Sequence, residues 1–377
     1  MTDVTSGPEV APPARSVRQL GYQWTAGPAM PLLSLAVALL IGAVFIAASG
    51  RDPLRAYVAL VSGAVGGATV QLAAYNTSET IVGAVPLVFT AISVAVAFRT
   101  GLFNIGAEGQ LLVGALSAGA VGAAFGGLPG PVLMPLTLGA AALAGAAYGA
   151  IPGALKAWRG AHEVITTIML NYVAIFLMHW LLQNGPMTAP SAAGTPASAK
   201  IGDGAILPVL LPSDLVPLSR LHAGTLIAIA ELVGFWALMW RTSLGYELRS
   251  VGFSPRAAAQ AGIDPKLRTV LVMAIAGGVA GIGGAVQIQG VLYRVFDGFS
   301  PGYGFDAIAV KLLGKSSPVG IALAALLFGA LGHGGALMQS EAQVSAHIVS
   351  VIEALVLFLV AAELVARIVA GRRKARA

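Results

Sequence analysis

Within the stretch FRTGLFNIGAEGQ, residues 98–110, Asn104, Glu108 and Gln110 fall inside seven positions between two long apolar runs. Two carboxamides and a carboxylate offer donors and acceptors together, the chemistry that grips the hydroxyls and ring nitrogens of a polar solute. The same residues have a plainer use, with Asn104 capping the helix that follows and Glu108 near its positive end. Asn171 stands mid-span, where an amide is either interhelical glue or a solute contact. Asp306 opens an apolar segment and either serves its dipole or lines a path. Glu231 and Glu353 lie inside apolar spans. A carboxylate in lipid is costly, so these groups face the bundle, and proton transfer is one use for them. Thr166 and Thr167 suit bonds back to their own helix.

Much chemistry is excluded. The chain has no cysteine, which removes disulfides, thiol nucleophiles and zinc–thiolate centres. His179, His333 and His347 are scattered without metal-ligand spacing. Gly314-Lys315-Ser316 ends like a phosphate-binding loop, but Ala309 stands where its first glycine belongs and no strand precedes it. No nucleophile–base constellation can be assembled, and no cofactor is expected in this chain.

The elements that must hold these residues are membrane helices. The 377 residues are 57% hydrophobic and 10% charged, with a mean hydropathy of +0.83, whereas soluble domains carry about a quarter charged residues. The expected fold is all-α, a polytopic helical membrane protein of about eight to ten segments including broken or half helices. Apolar spans fall at 28–49, 81–98, 111–125, 131–155, 164–182, 223–240, 269–289 and 347–368. Residues 54–78 are weaker and suit an interfacial or partly inserted helix. The stretch 305–337, interrupted at 314–318, suits two half helices. Glycines spaced by four, Gly145, Gly149 and Gly153 in one span and Gly277 and Gly281 in another, mark packing seams.

Residues 1–27 form a polar, Pro-rich arm expected to be disordered and cytoplasmic, 28–370 a single membrane domain, and 371–377 a basic cytoplasmic tail. Most of the 22 Lys and Arg fall at the two ends, at Arg99, in 156–162 and in 241–268. Basic loops stay inside, so these face the cytoplasm and both termini with them. Residues 183–222 and 290–305 face outward. The net charge of +6 follows this distribution, and no nucleic-acid partner is implied.

The inward loop 241–268 carries a short helix. Ser254 can cap it, Pro255 fits its first position and Gly262 ends it. Its small residues, Ala257, Ala258 and Ala259, suit seating in a groove; an ordinary amphipathic loop helix is the plainer alternative.

The segment GYELRSVGFSPRAAAQAGID, residues 245–264, resembles the coupling-helix loop of ABC importer permeases of the branched-chain amino acid, simple sugar and nucleoside group. FRTGLFNIGAEGQLLVGAL resembles the signature of the nucleoside and simple-sugar branch. EVITTIMLNYVA, 163–174, and GFDAIAVKLLGKSSPVGI, 304–321, are similar to two further blocks, and the likeness runs collinearly over about 30–370. Lys311 departs from it, standing where the family usually has a small residue. Such a lysine should snorkel, pair with Asp306 or line water.

The resemblance implies an inverted internal repeat and a permease subunit moving nucleosides, or a related simple sugar, by alternating access. It implies a substrate path at Asn104, Glu108, Gln110, Asn171 and Asp306. It also implies ATPase coupling through Gly252, Pro255, Ala258, Ala259, Gly262 and Ile263. ATP would be hydrolysed on a separate cytoplasmic subunit. A second, different permease chain would complete the path, and an extracytoplasmic binding protein would deliver substrate to 184–222 and 291–303. The alternative from a different class is a proton- or ion-coupled transporter using Glu231, Glu353 or Glu108.

Overall fold

The computed structural model describes residues 29–189, 194–212, 214–345, 347–352, 354–355 and 358–359. The expected arm and tail, and Glu353, lie outside the described residues. The elements are α1 (Ala29–Ala48), α2 (Pro53–Val65), α3 (Val70–Arg99), α4 (Ala107–Ala124), α5 (Gly130–Arg159), α6 (Glu163–Gln183), α7 (Gly224–Arg241), α8 (Ser243–Phe253), α9 (Pro255–Gln260), α10 (Pro265–Gln287), α11 (Tyr303–Leu313) and α12 (Pro318–Ala342). No strand occurs among the described residues, only isolated bridges. Six helices are long and apolar enough to cross a bilayer, namely α3, α5, α6, α7, α10 with its π-turn Ile288–Leu292, and α12.

A polar residue followed by proline starts four of these helices. Asp52, Ser254, Asp264 and Ser317 each accept a backbone N–H of the first turn, ahead of Pro53, Pro255, Pro265 and Pro318. Proline lacks only a donor that is orphaned there anyway, so the pair starts the helix without loss.

The two glycine seams turn out to be each other's partners. Gly145 and Gly149 of α5 lie against Gly277 and Gly281 of α10, backbone to backbone, and Gly153 packs on Met273 and Val270. A side chain at Gly277 would collide with the Gly145 carbonyl, so this approach exists only because both faces are bare.

Three boundaries differ from expectation. Residues 54–78 are two helices, α2 and the first turns of α3, joined at the Gly66–Gly67 break. The amide of Asn76 ties them by donating to Ser62 O at 3.0 Å and Gly66 O at 2.7 Å. The stretch 305–337 holds one half helix, α11 of 11 residues, and a full-length α12 of 25 residues. Gly314 and Gly320 pack backbone to backbone there, which lets the chain reverse and run on as a complete span. The 245–263 stretch is two helices, because Pro255 has no N–H to continue α8.

The central helix α3 runs antiparallel to α12. Arg99 donates to Ser316 O at one end, Gly329 packs on Thr80 midway, and Asn76 meets His333 beyond. The half helix α11 runs beside the last turns of α3, starting level with Thr90, whose hydroxyl donates to Tyr303 O at 3.3 Å.

Candidate functional site

The 98–110 segment is an interior turn. Asn104, Glu108 and Gln110 are at most 3% exposed. Asn104 Nδ2 donates to Gln110 Oε1 at 2.9 Å, Gln110 Nε2 returns a bond to Asn104 Oδ1 at 3.2 Å, and Ser93 Oγ joins them from α3. Asn104 Oδ1 also accepts Gly106 N–H at 3.1 Å. The two carboxamides of the turn therefore bond each other and Ser93.

Asn171 clamps the same turn from α6. Its Oδ1 accepts Gly109 N–H at 2.8 Å and its Nδ2 donates to Ile105 O at 2.9 Å. Because α4 has no cap of its own, this amide from 62 positions away takes up a first-turn donor.

Glu108 faces the other way. Its Oε2 accepts Gly304 N–H at 2.6 Å, in the first turn of α11, another helix whose flanking glycine supplies no side-chain cap. The starts of α4 and α11 thus meet, with Gly304 against the backbone of Ala107 and Glu108. A carboxylate at this meeting of two positive helix ends is stabilised by both. Thr166 and Thr167 bond to their own helix, Thr167 to Glu163 O at 2.7 Å.

Asp306 lies beyond this junction and lines a cavity of about 760 Å³ between α3, α12, the end of α10 and the start of α11. Tyr303, Gln287, His333, Gln339 and Phe328 share its wall. Of the expected path residues only Asp306 lines it; Asn104, Glu108, Gln110 and Asn171 support the elements around it. The volume lies within the roughly 300–1,000 Å³ of small-molecule sites, and a mixed aromatic and polar lining is their usual chemistry.

Glu79 and Arg220 also line the cavity, and sequence reading did not single them out as a pair. Glu79 Oε1 accepts Arg220 N–H at 3.1 Å, Oε2 accepts Arg220 Nε–H at 3.0 Å, and Arg220 Nη2 also donates to Oε2. They are 141 positions apart, so no local pattern links them. One signal was available: a carboxylate in an apolar helix needs a cation, and Arg220 stands just before α7. Ser219 reinforces the link by donating to Ser78 Oγ at 2.9 Å. The neighbouring His222 accepts Gly224 N–H at 3.1 Å; burial holds its imidazole down to about 4, and the Arg220 charge adds to that.

The segments 184–222 and 291–303, expected to face outward, form one surface. Ser198 N–H bonds Val295 O, Ile201 N–H bonds Tyr293 O, and Asp297 N–H bonds Pro196 O. His179 Nδ1 lies 2.6 Å from Asp297 Oδ2.

At the opposite end, α9 has the expected local form. Ser254 Oγ accepts Ala257 N–H at 3.3 Å, and Gly262 takes φ of +81°. Ala258 is buried, whereas Pro255, Ala259 and Gly262 are exposed, Ile263 is partly so, and Phe253 beside them is 89% exposed. Gly252 packs on the backbone of Arg99 and Thr100, which seats α8 on the end of α3. Lys311 does not reach toward Asp306; its ammonium lies 2.8 Å from the centre of the Phe98 ring.

Residues 76–362 match the family model described as branched-chain amino acid transport system / permease component. The guanosine ABC transporter permease protein NupP of Bacillus subtilis is 38% identical over 92% of this chain and 96% of its own length. The glucose ABC transporter permease protein TsgB13 of Haloferax volcanii is 39% identical over 88% of this chain and 87% of its own. A second Bacillus subtilis protein, the guanosine ABC transporter permease protein NupQ, is 30% identical over 69% of this chain and 81% of its own length. No solved structure matches.

Proposed function

Since the chain belongs to the family of permease components of the branched-chain amino acid transport system, we propose that it is the membrane subunit of an ABC importer for nucleosides, or for a related simple sugar. The observation that carries this reading is the cavity between α3, α10, α11 and α12, lined by the Glu79–Arg220 ion pair and by Asp306. The cargoes in the relatives' names, guanosine and glucose, share a hydroxyl-bearing ring. Asp306, Gln287 and His333 supply acceptors and donors for such a ring, and Tyr303 and Phe328 supply faces for a base. Glu108 fixes the start of α11 behind Asp306, while Asn104, Gln110 and Asn171 hold the wall in register.

Energy comes from ATP bound to a separate cytoplasmic ATPase subunit, and this chain needs no cofactor. The exposed face of Pro255, Ala259, Gly262 and Ile263 seats that subunit, with Ala258 and Gly252 anchoring α8 and α9 to the body. Two guanosine permeases in one bacterium support a path completed by a second, different permease chain. The joined surface of 184–222 and 291–303 receives an extracytoplasmic binding protein. The protein sits in the cytoplasmic membrane with α8, α9 and the basic residues of both ends inward.

The test is uptake of labelled guanosine by vesicles containing the whole transporter, with nucleosides and simple sugars as competitors. Asp306→Asn should lower uptake at least about tenfold, the scale of one lost charge-assisted bond, with membrane insertion unchanged. Uptake at the wild-type rate in that variant would remove Asp306 from the path. Competition by glucose but not by other nucleosides would move the cargo to sugars. Gly262→Asp should abolish ATP-dependent uptake while leaving binding of cargo intact.

A further inference from the structure

On the side of the molecule away from the Glu79–Arg220 pair, three cations gather: Arg99 at the end of α3, Arg249 on α8 and Lys311 on α11. Arg99 is near enough to repel both of the others. Lys311 is only 3% exposed, and what it has in place of an anion is the Phe98 ring. Arg99 donates through Nη2 to Ser316 O at 2.9 Å and stacks 4.5 Å over Trp240, yet its Nε is buried with no acceptor, and so is Nη1 of Arg249.

Among the described residues no acid forms an ion pair with any of the three. Glu247 is taken by Arg268 at 2.5 Å, Glu163 by Lys156 at 2.6 Å, and Asp264 caps α10. Three converging cations, two of them with a buried, unused N–H donor, are an unfavourable arrangement until an anion enters. Arginine forks beside a lysine are the donor set that phosphate takes.

What surrounds the cluster points to the source of that phosphate. Phe98, Trp236 and Trp240 are exposed by 42%, 44% and 38%, and the Arg241 guanidinium lies 5.3 Å over Trp236. Indoles and basic groups at the end of a transmembrane helix mark the headgroup level of a bilayer. Basic pockets between spans at that level hold anionic lipid heads.

We propose that Arg99, Arg249 and Lys311 form a binding site for the phosphate of an anionic phospholipid, with Phe98, Trp236 and Trp240 bordering its acyl chains. The site does not depend on which cargo the cavity takes. It gives Lys311, a charge that the cavity does not use, a partner.

The experiment uses the purified whole transporter, stripped of lipid in neutral detergent. It compares phosphatidylglycerol, phosphatidylcholine and millimolar inorganic phosphate by native mass spectrometry and thermal unfolding. The wild type should retain phosphatidylglycerol and unfold several degrees higher with it, and phosphatidylcholine should do neither. Lys311→Met with Arg249→Gln should weaken retention roughly tenfold or more, with an unfolding temperature in the lipid-free state equal to or above the wild type. Arg249→Gln alone is the milder variant should the pair fail to assemble, with an intermediate loss expected. Equal retention by wild type and variants would overturn the proposal. Protection by inorganic phosphate with no preference for phosphatidylglycerol would overturn the lipid as the source. Loss of the ATPase subunit in the variants, with lipid retention unchanged, would assign the cluster to a protein carboxylate instead.

Discussion

At the residue scale, the polar groups that look ready for solute chemistry divide by what they already bond. Asn171 uses both ends of its amide on the turn before α4. Asn171→Leu would strand a buried N–H and a buried C=O, each costing roughly 1–3 kcal/mol. Thermal unfolding in detergent should show a drop of that order, and Asn171→Asp, which keeps the acceptor, should fall between. His222 makes a pH prediction. Its folded value of about 4 lies below the ordinary histidine value of 6.5, so the unfolded chain takes up the proton first. Stability is whole above pH 6.5 and declines toward pH 4, by up to about 3 kcal/mol at ~1.4 kcal/mol per unit. Unfolding temperature measured across that range should fall less steeply in His222→Gln than in the wild type. The residue types were legible in the sequence. Their partners were not, because Asn171 and Gly109 stand 62 positions apart and Glu79 and Arg220 stand 141 apart.

Among the elements, the helices and their starts follow local rules, and the seams show where locality stops. Glycines four apart mark a bare helical face wherever they occur, so both seams could be marked without knowing that they meet. Gly277→Val would drive a branched side chain into the Gly145 carbonyl. A loss of roughly 3 kcal/mol or more follows, visible as failure of the protein to accumulate in the membrane. Gly252→Val has a different signature. It would push α8 off the Arg99–Thr100 backbone without touching the cavity. Cargo binding should persist while ATP-dependent uptake falls, and a parallel loss of both would place the fault in folding. The full length of α12 was hidden by Gly314 and Pro318, which read as a break between two half helices. They mark a tight reversal, made by Lys315 and Ser316 at positive φ and closed by the packing of Gly314 on Gly320.

For the whole molecule, the question is how the cavity opens. At one end of its lining the Glu79–Arg220 ion pair and the bond between Ser219 and Ser78 join the segment before α7 to α3. A chain without cysteine allows a direct test. Ser78→Cys with Ser219→Cys should form a disulfide across this link under mild oxidation. If release of this link admits cargo, uptake stops in the oxidised transporter and returns with reductant. Unchanged uptake after quantitative crosslinking would mean that cargo enters elsewhere.

The sequence by itself determined the solvent and much of the secondary structure. Apolar run length answers to bilayer thickness and polar–proline pairs to orphaned amides, and each is a local property. Four collinear blocks also carried the family. Tertiary structure decided which polar groups are free to meet a solute. A buried carboxamide or carboxylate bonds whatever lies nearest in space, so Glu108 serves α11 and Asn171 serves α4, leaving Asp306 on the cavity wall. The same holds for Arg99, Arg249 and Lys311. Sequence marks Lys311 as a charge in need of a partner, but only folding brings α3, α8 and α11 to one point where, among the described residues, no acid pairs with these charges.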